Sequence, residues 1–186
     1  MKPFLLTIML AIIGLSATAQ ETKINWMTFD EAIEANREQP KKIFIDVYTD
    51  WCGWCKRMDQ TTFSNAVIAR YMNENYYAVK FDAERSDTVQ FAGHEFVGTT
   101  QPNGRKGSHQ LAMALLKGKM SYPSYVIMNE QNKIIQVVSG YQDVKSFEPM
   151  LHYFVENAFM TMEWTQFMET FQSELPEEKT VQKPKQ

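Results

Sequence analysis

The stretch Phe44-Ile45-Asp46-Val47-Tyr48-Thr49-Asp50-Trp51-Cys52-Gly53-Trp54-Cys55-Lys56 decides the fold of this 186-residue chain. Its first half, together with Ile43, is an apolar, β-branched run that is short enough to be a strand buried on both faces. The strand leads directly into two cysteines, and we expect a helix to begin there. This arrangement places the first sulfur at the positive end of the helix dipole, beside backbone N–H groups without partners. We therefore expect Cys52 to favour its thiolate form and to act as a nucleophile.

Cys55 lies one helical turn further along the chain, where we expect it to be more buried and to resolve a mixed disulfide formed by Cys52. A purely structural disulfide is an alternative, but closing so small a loop removes only about 2 kcal/mol of chain entropy. A structural zinc site needs four ligands, whereas the chain has two cysteines and three scattered histidines. Covalent haem attachment needs a histidine at the position of Lys56. We therefore expect a redox cysteine pair, with no metal and no cofactor.

Helical and strand patterns alternate along the rest of the chain. Thr28 and Glu31 form a capping-box pattern that opens a helix, and Pro40 ends it. Further strands are predicted at 77 to 81, 124 to 128 and 134 to 138, and further helices after the cysteines, from Ser64, at 108 to 116, from Ser146 and near 164 to 171. Residues 84 to 107 are predicted to form a hairpin that turns near 92 to 93, followed by a loop. The pattern predicts an α/β domain with a mixed sheet.

The first residues have the composition of an export signal. A basic start, an apolar run of 11 residues from Phe4 to Gly14 and the sequence Ala17-Thr18-Ala19 predict a secretory signal peptide over residues 1 to 19. The run is too short for a spanning helix, although an uncleaved anchor is the alternative. Cleavage leaves 18 basic and 22 acidic side chains, a formal charge of −4, so we expect no nucleic-acid partner. We expect a periplasmic or secreted protein.

The segment from Phe44 to Lys56 resembles the active-site segment of the thioredoxin superfamily. The resemblance runs from about Trp26 to about Val155, and the chain is similar to exported thioredoxin-like proteins and to the C-terminal domain of the bacterial transmembrane thiol-disulfide interchange protein. It implies a thioredoxin-like domain over residues 20 to 173, with an insertion at 84 to 107 between the third strand and the third helix, an extra C-terminal helical segment and a disordered tail over 174 to 186. Exported protein disulfides are the implied clients, and a membrane-bound protein is the implied electron donor.

The resemblance also assigns roles to individual residues. Asp46 matches a buried acid that helps to deprotonate the resolving cysteine, and burial is known to raise a carboxyl pKa toward neutrality. Lys80 matches a lysine that faces this acid, although a strand lysine that reaches solvent is an equally open alternative. Pro123, in Ser121-Tyr122-Pro123-Ser124, matches a cis proline beside the sulfurs, which would expose the backbone of Tyr122 for strand-like pairing with a peptide. An ordinary trans turn proline is the alternative.

Three features depart from cytoplasmic thioredoxins: Trp54 replaces a proline between the cysteines, Tyr122 precedes Pro123, and the insertion is present. The direction of exchange therefore stays open among reduction, oxidation and isomerisation, and we favour reduction. The residues expected to contact substrate are Trp51, Gly53, Trp54, Tyr122 and Pro123. A non-catalytic peptide-binding module on the same scaffold is the alternative function. Because ligands bind at the carboxyl ends of strands in α/β sheets, we also expect residues 84 to 107 to flank the redox site.

Overall fold

The computed structural model describes residues 22 to 176, and the predicted signal peptide lies outside them. The strands are β1 (Trp26–Met27), β2 (Lys42–Tyr48), β3 (Tyr76–Asp82), β4 (Thr88–Phe91), β5 (His94–Val97), β6 (Ser124–Met128) and β7 (Ile134–Ser139). The α-helices are α1 (Phe29–Glu38), α2 (Gly53–Gln60), α3 (Ala66–Asn75), α4 (Gln110–Leu115), α5 (Val144–Val155) and α6 (Trp164–Thr170), and a short 3-10 helix, Ala158–Met160, precedes α6. Among the described residues, no helix is long and apolar enough to cross a membrane.

Five strands form a mixed central sheet in the order β1-β3-β2-β6-β7. β2 pairs in parallel with β3 and antiparallel with β6, and β7 pairs antiparallel with β6. The ends of β2 and β3 therefore meet the start of β6 at one edge of the sheet. Val47 is opposite Ser124 there, and the Ala83 N–H donates to the Tyr48 carbonyl at 2.8 Å. The cysteine loop, the start of the insertion and the Pro123 loop all leave the sheet at this edge.

Helices cover both faces of the sheet and enclose two apolar cores. α1, α4 and the β4-β5 hairpin cover one face, and α2, α3 and α5 cover the other. Phe44 at the centre of β2 is fully buried in the second core. Its ring packs against those of Phe63, Tyr76, Tyr125 and Phe147, with centroids 5.5 to 6.2 Å apart. Because side chains alternate along a strand, Asp46 points to the same face as Phe44, toward α2.

The structure confirms the α/β fold with a mixed sheet, and most element boundaries agree within one or two residues. Thr28 caps α1 in the expected capping box with Glu31. The insertion forms the expected hairpin, β4-β5, whose turn residues Ala92 and Gly93 have φ values of 51° and 77°. The insertion follows the third strand, β3, but the helix after it is the fourth helix, α4, and not the third. The segment after the cysteines forms two helices, α2 and α3, before β3.

Three details differ from expectation. β1 was not predicted, because two residues are too few to show a strand period. α5 begins at Val144 rather than Ser146, because the Asp143 side chain caps it by accepting from the Ser146 N–H at 2.8 Å. Pro149 therefore lies in the second turn, where it cannot donate to the carbonyl of Lys145.

Glu174, the first residue of the predicted tail, makes two contacts with the rest of the domain. Glu174 lies among the described residues, where its backbone N–H donates to the buried Glu148 carboxylate at 2.7 Å and its side chain pairs with Arg70. The buried carboxylate of Glu148 needs such donors, and this long-range need leaves no trace in the local composition of the tail.

Candidate functional site

Cys52 and Cys55 form a disulfide at the start of α2, with their Cα atoms 5.3 Å apart. Cys52 is the N-cap residue of this helix, and the Cys55 N–H donates to the Cys52 Sγ at 3.0 Å. The sulfur of Cys52 thus occupies a position where backbone donors and the helix dipole favour negative charge. Reduction of the disulfide at this position would leave a thiolate that the helix end stabilises.

The expected difference in exposure between the two cysteines is not found. Cys52 is 4% exposed and Cys55 is 3% exposed. Both residues are thus buried while the disulfide is formed. The assignment of Cys52 as the attacking thiol therefore depends on its place at the helix end.

Asp46, Lys80 and Asp59 form a chain of charges between the sheet and α2. Asp46 and Lys80 are opposite each other on β2 and β3, and the Lys80 Nζ lies 2.7 Å from an Asp46 carboxylate oxygen. Lys80 also pairs with Asp59 on α2. Lys80 therefore lies opposite the buried acid, with 22% of its side chain exposed.

Asp46 is only 1% exposed, and burial raises its pKa to about 6 although Lys80 opposes the shift. Only Oδ2 contacts Lys80, and Oδ1 has no hydrogen-bond partner within residues 22 to 176. An ionised carboxylate with one unpaired buried oxygen is costly, which is the physical reason why the proton is held to higher pH. A carboxyl group with this pKa can take up and release a proton near neutrality.

Lys80 lies in an aromatic surround that keeps its amine near Asp46. Its Nζ is 4.9 Å from the ring centroid of Trp26 and 5.2 Å from those of Tyr48 and Phe63. Burial disfavours the ammonium, but the carboxylates of Asp46 and Asp59 outweigh it and raise the pKa of Lys80. The amine therefore stays charged and holds the Asp46 carboxyl in place.

Two exposed tryptophans flank the disulfide on opposite sides. Trp51 is 65% exposed, packs edge-to-face on Tyr122 at 5.7 Å, and donates from Nε1 to Glu84 at 3.1 Å. Trp54 is 62% exposed and packs on Tyr141 at 5.5 Å. The two tryptophans therefore pack on different partners, Tyr122 for Trp51 and Tyr141 for Trp54.

The Pro123 loop completes the site at the same sheet edge. The Tyr122–Pro123 peptide bond is cis, and Pro123 is buried. The Pro123 carbonyl accepts from the Gly140 N–H at 2.8 Å, and Ser124 begins β6 opposite Val47. Gly53 faces open space, since a Cβ built there would meet nothing within 4 Å. The cysteine loop, Tyr122 and Pro123 thus lie at the same edge of the sheet.

The insertion contacts this site at its first residue. Glu84 contacts Trp51, whereas Val89 is fully buried in the first core and Phe91 packs on Phe29 of α1 at 5.1 Å. The hairpin is therefore part of the core, and deleting it would expose apolar surface. Within residues 22 to 176, no group of three or more His, Cys, Asp or Glu side chains could hold a metal ion.

Sequence reasoning missed Asp59, Glu84 and Tyr141. Asp59 follows Cys55 by four residues, so the helical period could have placed it on the same face of α2. Tyr141 offers no such signal, because it comes from a loop more than 80 residues from Trp54. Contacts of this range depend on the whole fold.

The sequence model of the Thioredox_DsbH family, described as a protein of unknown function, DUF255, matches residues 15 to 148. The chain belongs to this family. The match covers the cysteine pair, the insertion and the Pro123 loop, so the family includes the whole candidate site. Membership, the fold and the disulfide together support a thiol-disulfide oxidoreductase-like protein of the thioredoxin superfamily.

Solved structures similar to this Thioredox_DsbH chain share its fold. A DsbH oxidoreductase is 15% identical with a TM-score of 0.50, over 75% of this chain and 87% of that one. A thioredoxin-fold protein from Helicobacter pylori is 15% identical with a TM-score of 0.52, over 70% and 78%. A thioredoxin from Thermus thermophilus is 12% identical with a TM-score of 0.52, over 71% and 87%. At these identities the likeness shows the thioredoxin fold.

Two curated relatives match shorter segments. Spermatogenesis-associated protein 20 of Homo sapiens is 32% identical over 82 residues, which are 44% of this chain and 10% of that protein. An uncharacterized protein of Archaeoglobus fulgidus is 31% identical over 85 residues, 45% of this chain and 67% of that protein. The matched part spans about a tenth of the human protein.

Proposed function

We propose that this protein is an exported thiol-disulfide oxidoreductase that reduces disulfides in extracytoplasmic proteins. The observation that supports this best is the cysteine pair at the start of α2, on the face of the sheet where the buried Asp46–Lys80 pair lies. A disulfide that served only as a staple would need neither a helix end to stabilise a thiolate nor a buried carboxyl group with a pKa of about 6.

The reaction proceeds in two displacements and moves two electrons to the client. The Cys52 thiolate attacks one sulfur of the client disulfide, forms a mixed disulfide and expels the first client thiolate. Cys55, once deprotonated, attacks the sulfur of Cys52, which closes the Cys52–Cys55 disulfide and expels the second client thiolate. A dithiol donor protein in the membrane then reduces the pair by the same exchange.

Asp46 serves as the proton acceptor for Cys55 in this scheme. Its Oδ2 is held by Lys80, which leaves Oδ1 as the oxygen able to take a proton. Because its pKa is about 6, Asp46 is ionised at neutral pH and can still carry a proton transiently. Asp46 thus acts on the resolving step, after the mixed disulfide has formed.

The surface around the sulfurs suits an extended client segment. Trp51 and Trp54 present large exposed rings on either side, and Gly53 leaves open space between them. The backbone of Tyr122, beside the cis bond to Pro123, would provide strand-like pairing with the client. Export is supported by the signal-like composition of residues 1 to 19.

Insulin reduction driven by dithiothreitol tests the proposal. The wild-type protein should accelerate precipitation of the insulin B chain, and Cys52→Ser should abolish the acceleration while circular dichroism shows that the variant is folded. The alternative, a peptide-binding module that uses the exposed tryptophans, predicts equal rates for both proteins, and that result would contradict catalysis.

A further inference from the structure

A pocket of about 470 Å³ opens beside the disulfide and is lined by Gly53, Trp54, Arg57 and Tyr141. Gly53 directly follows Cys52. When Cys52 has attacked a cysteine of the client, the pocket therefore lies close to the client residue next to that cysteine. The proposed reaction uses the sulfurs, Asp46 and the surface between the tryptophans, and it leaves Arg57 and Tyr141 without a role.

The walls of this pocket are held in place by hydrogen bonds. The Thr61 hydroxyl donates to the Arg57 carbonyl at 2.8 Å and lies 3.2 Å from the Tyr141 hydroxyl. Since the Thr61 proton is used by the carbonyl, the Tyr141 hydroxyl donates to Thr61. This bond fixes the Tyr141 ring, and the exposed Trp54 ring rests on it at 5.5 Å. The aromatic wall is therefore preorganised for an aliphatic stem.

Arg57 brings an unused positive charge to the pocket. Its side chain is exposed, and no Asp or Glu side chain among residues 22 to 176 forms an ion pair with it. By contrast, Arg37, Arg70 and Arg85 each pair with a carboxylate. A guanidinium beside an aromatic wall is suited to a carboxylate, which it can bind with two parallel hydrogen bonds.

The opposite side of the disulfide carries negative charge. Glu84 accepts a hydrogen bond from Trp51. Burial raises the pKa of the Tyr122 hydroxyl, and the negative charges of Glu84 and Asp82 raise it further. The two sides of the site therefore differ in the sign of their charge, with Arg57 beside Trp54, Glu84 beside Trp51 and Asp82 acting on Tyr122. A client segment laid across the sulfurs would be selected by where it carries charge.

We infer that the pocket takes the side chain of a glutamate or aspartate next to the reacting cysteine of the client. The aliphatic stem packs on Trp54 and Tyr141, and the carboxylate pairs with Arg57. This selectivity rests on the proposed function, because it concerns the clients that Cys52 attacks. Arg57 is thus a specificity residue for acidic disulfide segments.

Matched disulfide peptides test the inference. Each peptide carries one intramolecular disulfide, and the residue next to a cysteine is Glu, Gln or Lys, placed before the cysteine in one series and after it in another. The measurement is kcat/KM for dithiothreitol-driven reduction, divided by the rate with dithiothreitol alone. In one series the wild type should prefer Glu over Lys by about five-fold at low ionic strength, since an exposed pair contributes up to about 1 kcal/mol. The preference should shrink as salt is added.

The variants separate the pocket from general charge. Arg57→Gln should remove the preference, and Arg57→Glu should reverse it. Lys56→Glu makes the same change in net charge one residue earlier, outside the pocket walls, and should keep the wild-type preference. Equal kcat/KM for the Glu and Lys peptides in both series, or a preference that survives in Arg57→Glu, overturns the inference while leaving the proposed function intact. No reduction of any peptide, Gln included, refutes the proposed function itself.

Discussion

Replacing Asp46 with asparagine should change how stability depends on pH. Burial raises the pKa of Asp46 to about 6 from an ordinary value of 3.8. When the pKa of a group is higher in the folded protein than in the unfolded chain, the group stabilises the fold fully at pH values below the pKa of the unfolded chain. This contribution is lost as pH rises through the pKa of the folded protein. The shift of about two pH units corresponds to about 3 kcal/mol. The asparagine side chain cannot ionise, so the variant escapes this loss.

We therefore expect the free energy of unfolding of Asp46→Asn, minus that of the wild type, to rise by about 2 kcal/mol between pH 4 and pH 7.5, since part of the change already lies below pH 4. Urea unfolding of the disulfide forms, followed by tryptophan fluorescence, measures the difference. Asp59→Asn is the matched control, because it removes the other carboxylate that pairs with Lys80. The Asp59 side chain is 46% exposed, so this variant should show a much smaller rise. Parallel stability curves for Asp46→Asn and the wild type would refute the reasoning.

Three further predictions follow from other residues. After reduction, iodoacetamide should alkylate Cys52 faster than Cys55 and with a midpoint below pH 8.5, because Cys52 caps α2; equal rates would count against its role as nucleophile. Phe44→Ala should lower the free energy of unfolding by about 3 to 5 kcal/mol in urea titrations, because the ring is fully buried among four others; a loss below 1 kcal/mol would contradict that packing. Burial lowers the pKa of His109, whose Nδ1 accepts from the Leu111 N–H. The contribution of His109 to the stability of the fold should therefore be present above pH 6.5 and be lost as pH falls further. His109→Asn keeps a capping acceptor, so thermal melts at pH 5 to 7 should show less acid destabilisation than the wild type, and an unchanged pH profile would argue against the histidine.

The sequence predicted the parts of the site that local patterns determine. A strand followed by a cysteine pair specifies a helix end at Cys52, and the two strands that carry Asp46 and Lys80 were both evident from their apolar runs. Their pairing follows from the parallel register of β2 and β3. The fold class could be predicted for the same reason, since alternating helices and strands leave few arrangements.

The remaining features depend on contacts between distant parts of the chain. Trp54 packs on Tyr141, and no pattern near Trp54 in the sequence indicates this contact. The burial of Cys52 at the start of α2 is also not evident from its position in the sequence. Likewise, the packing of the β4-β5 hairpin on α1, rather than over the disulfide, depends on Phe29 and the core around it. Such features follow from packing, which local periodicity does not encode.

Trapping of the mixed disulfide in Cys55→Ser tests most directly whether Cys52 carries out thiol-disulfide exchange. The reduced variant is mixed with a disulfide peptide, quenched with acid and analysed by mass spectrometry. Because serine cannot complete the second displacement, we expect a peptide adduct on Cys52 that disappears on reduction, and no adduct with Cys52→Ser or the double variant. A folded Cys55→Ser protein that forms no adduct would contradict the account.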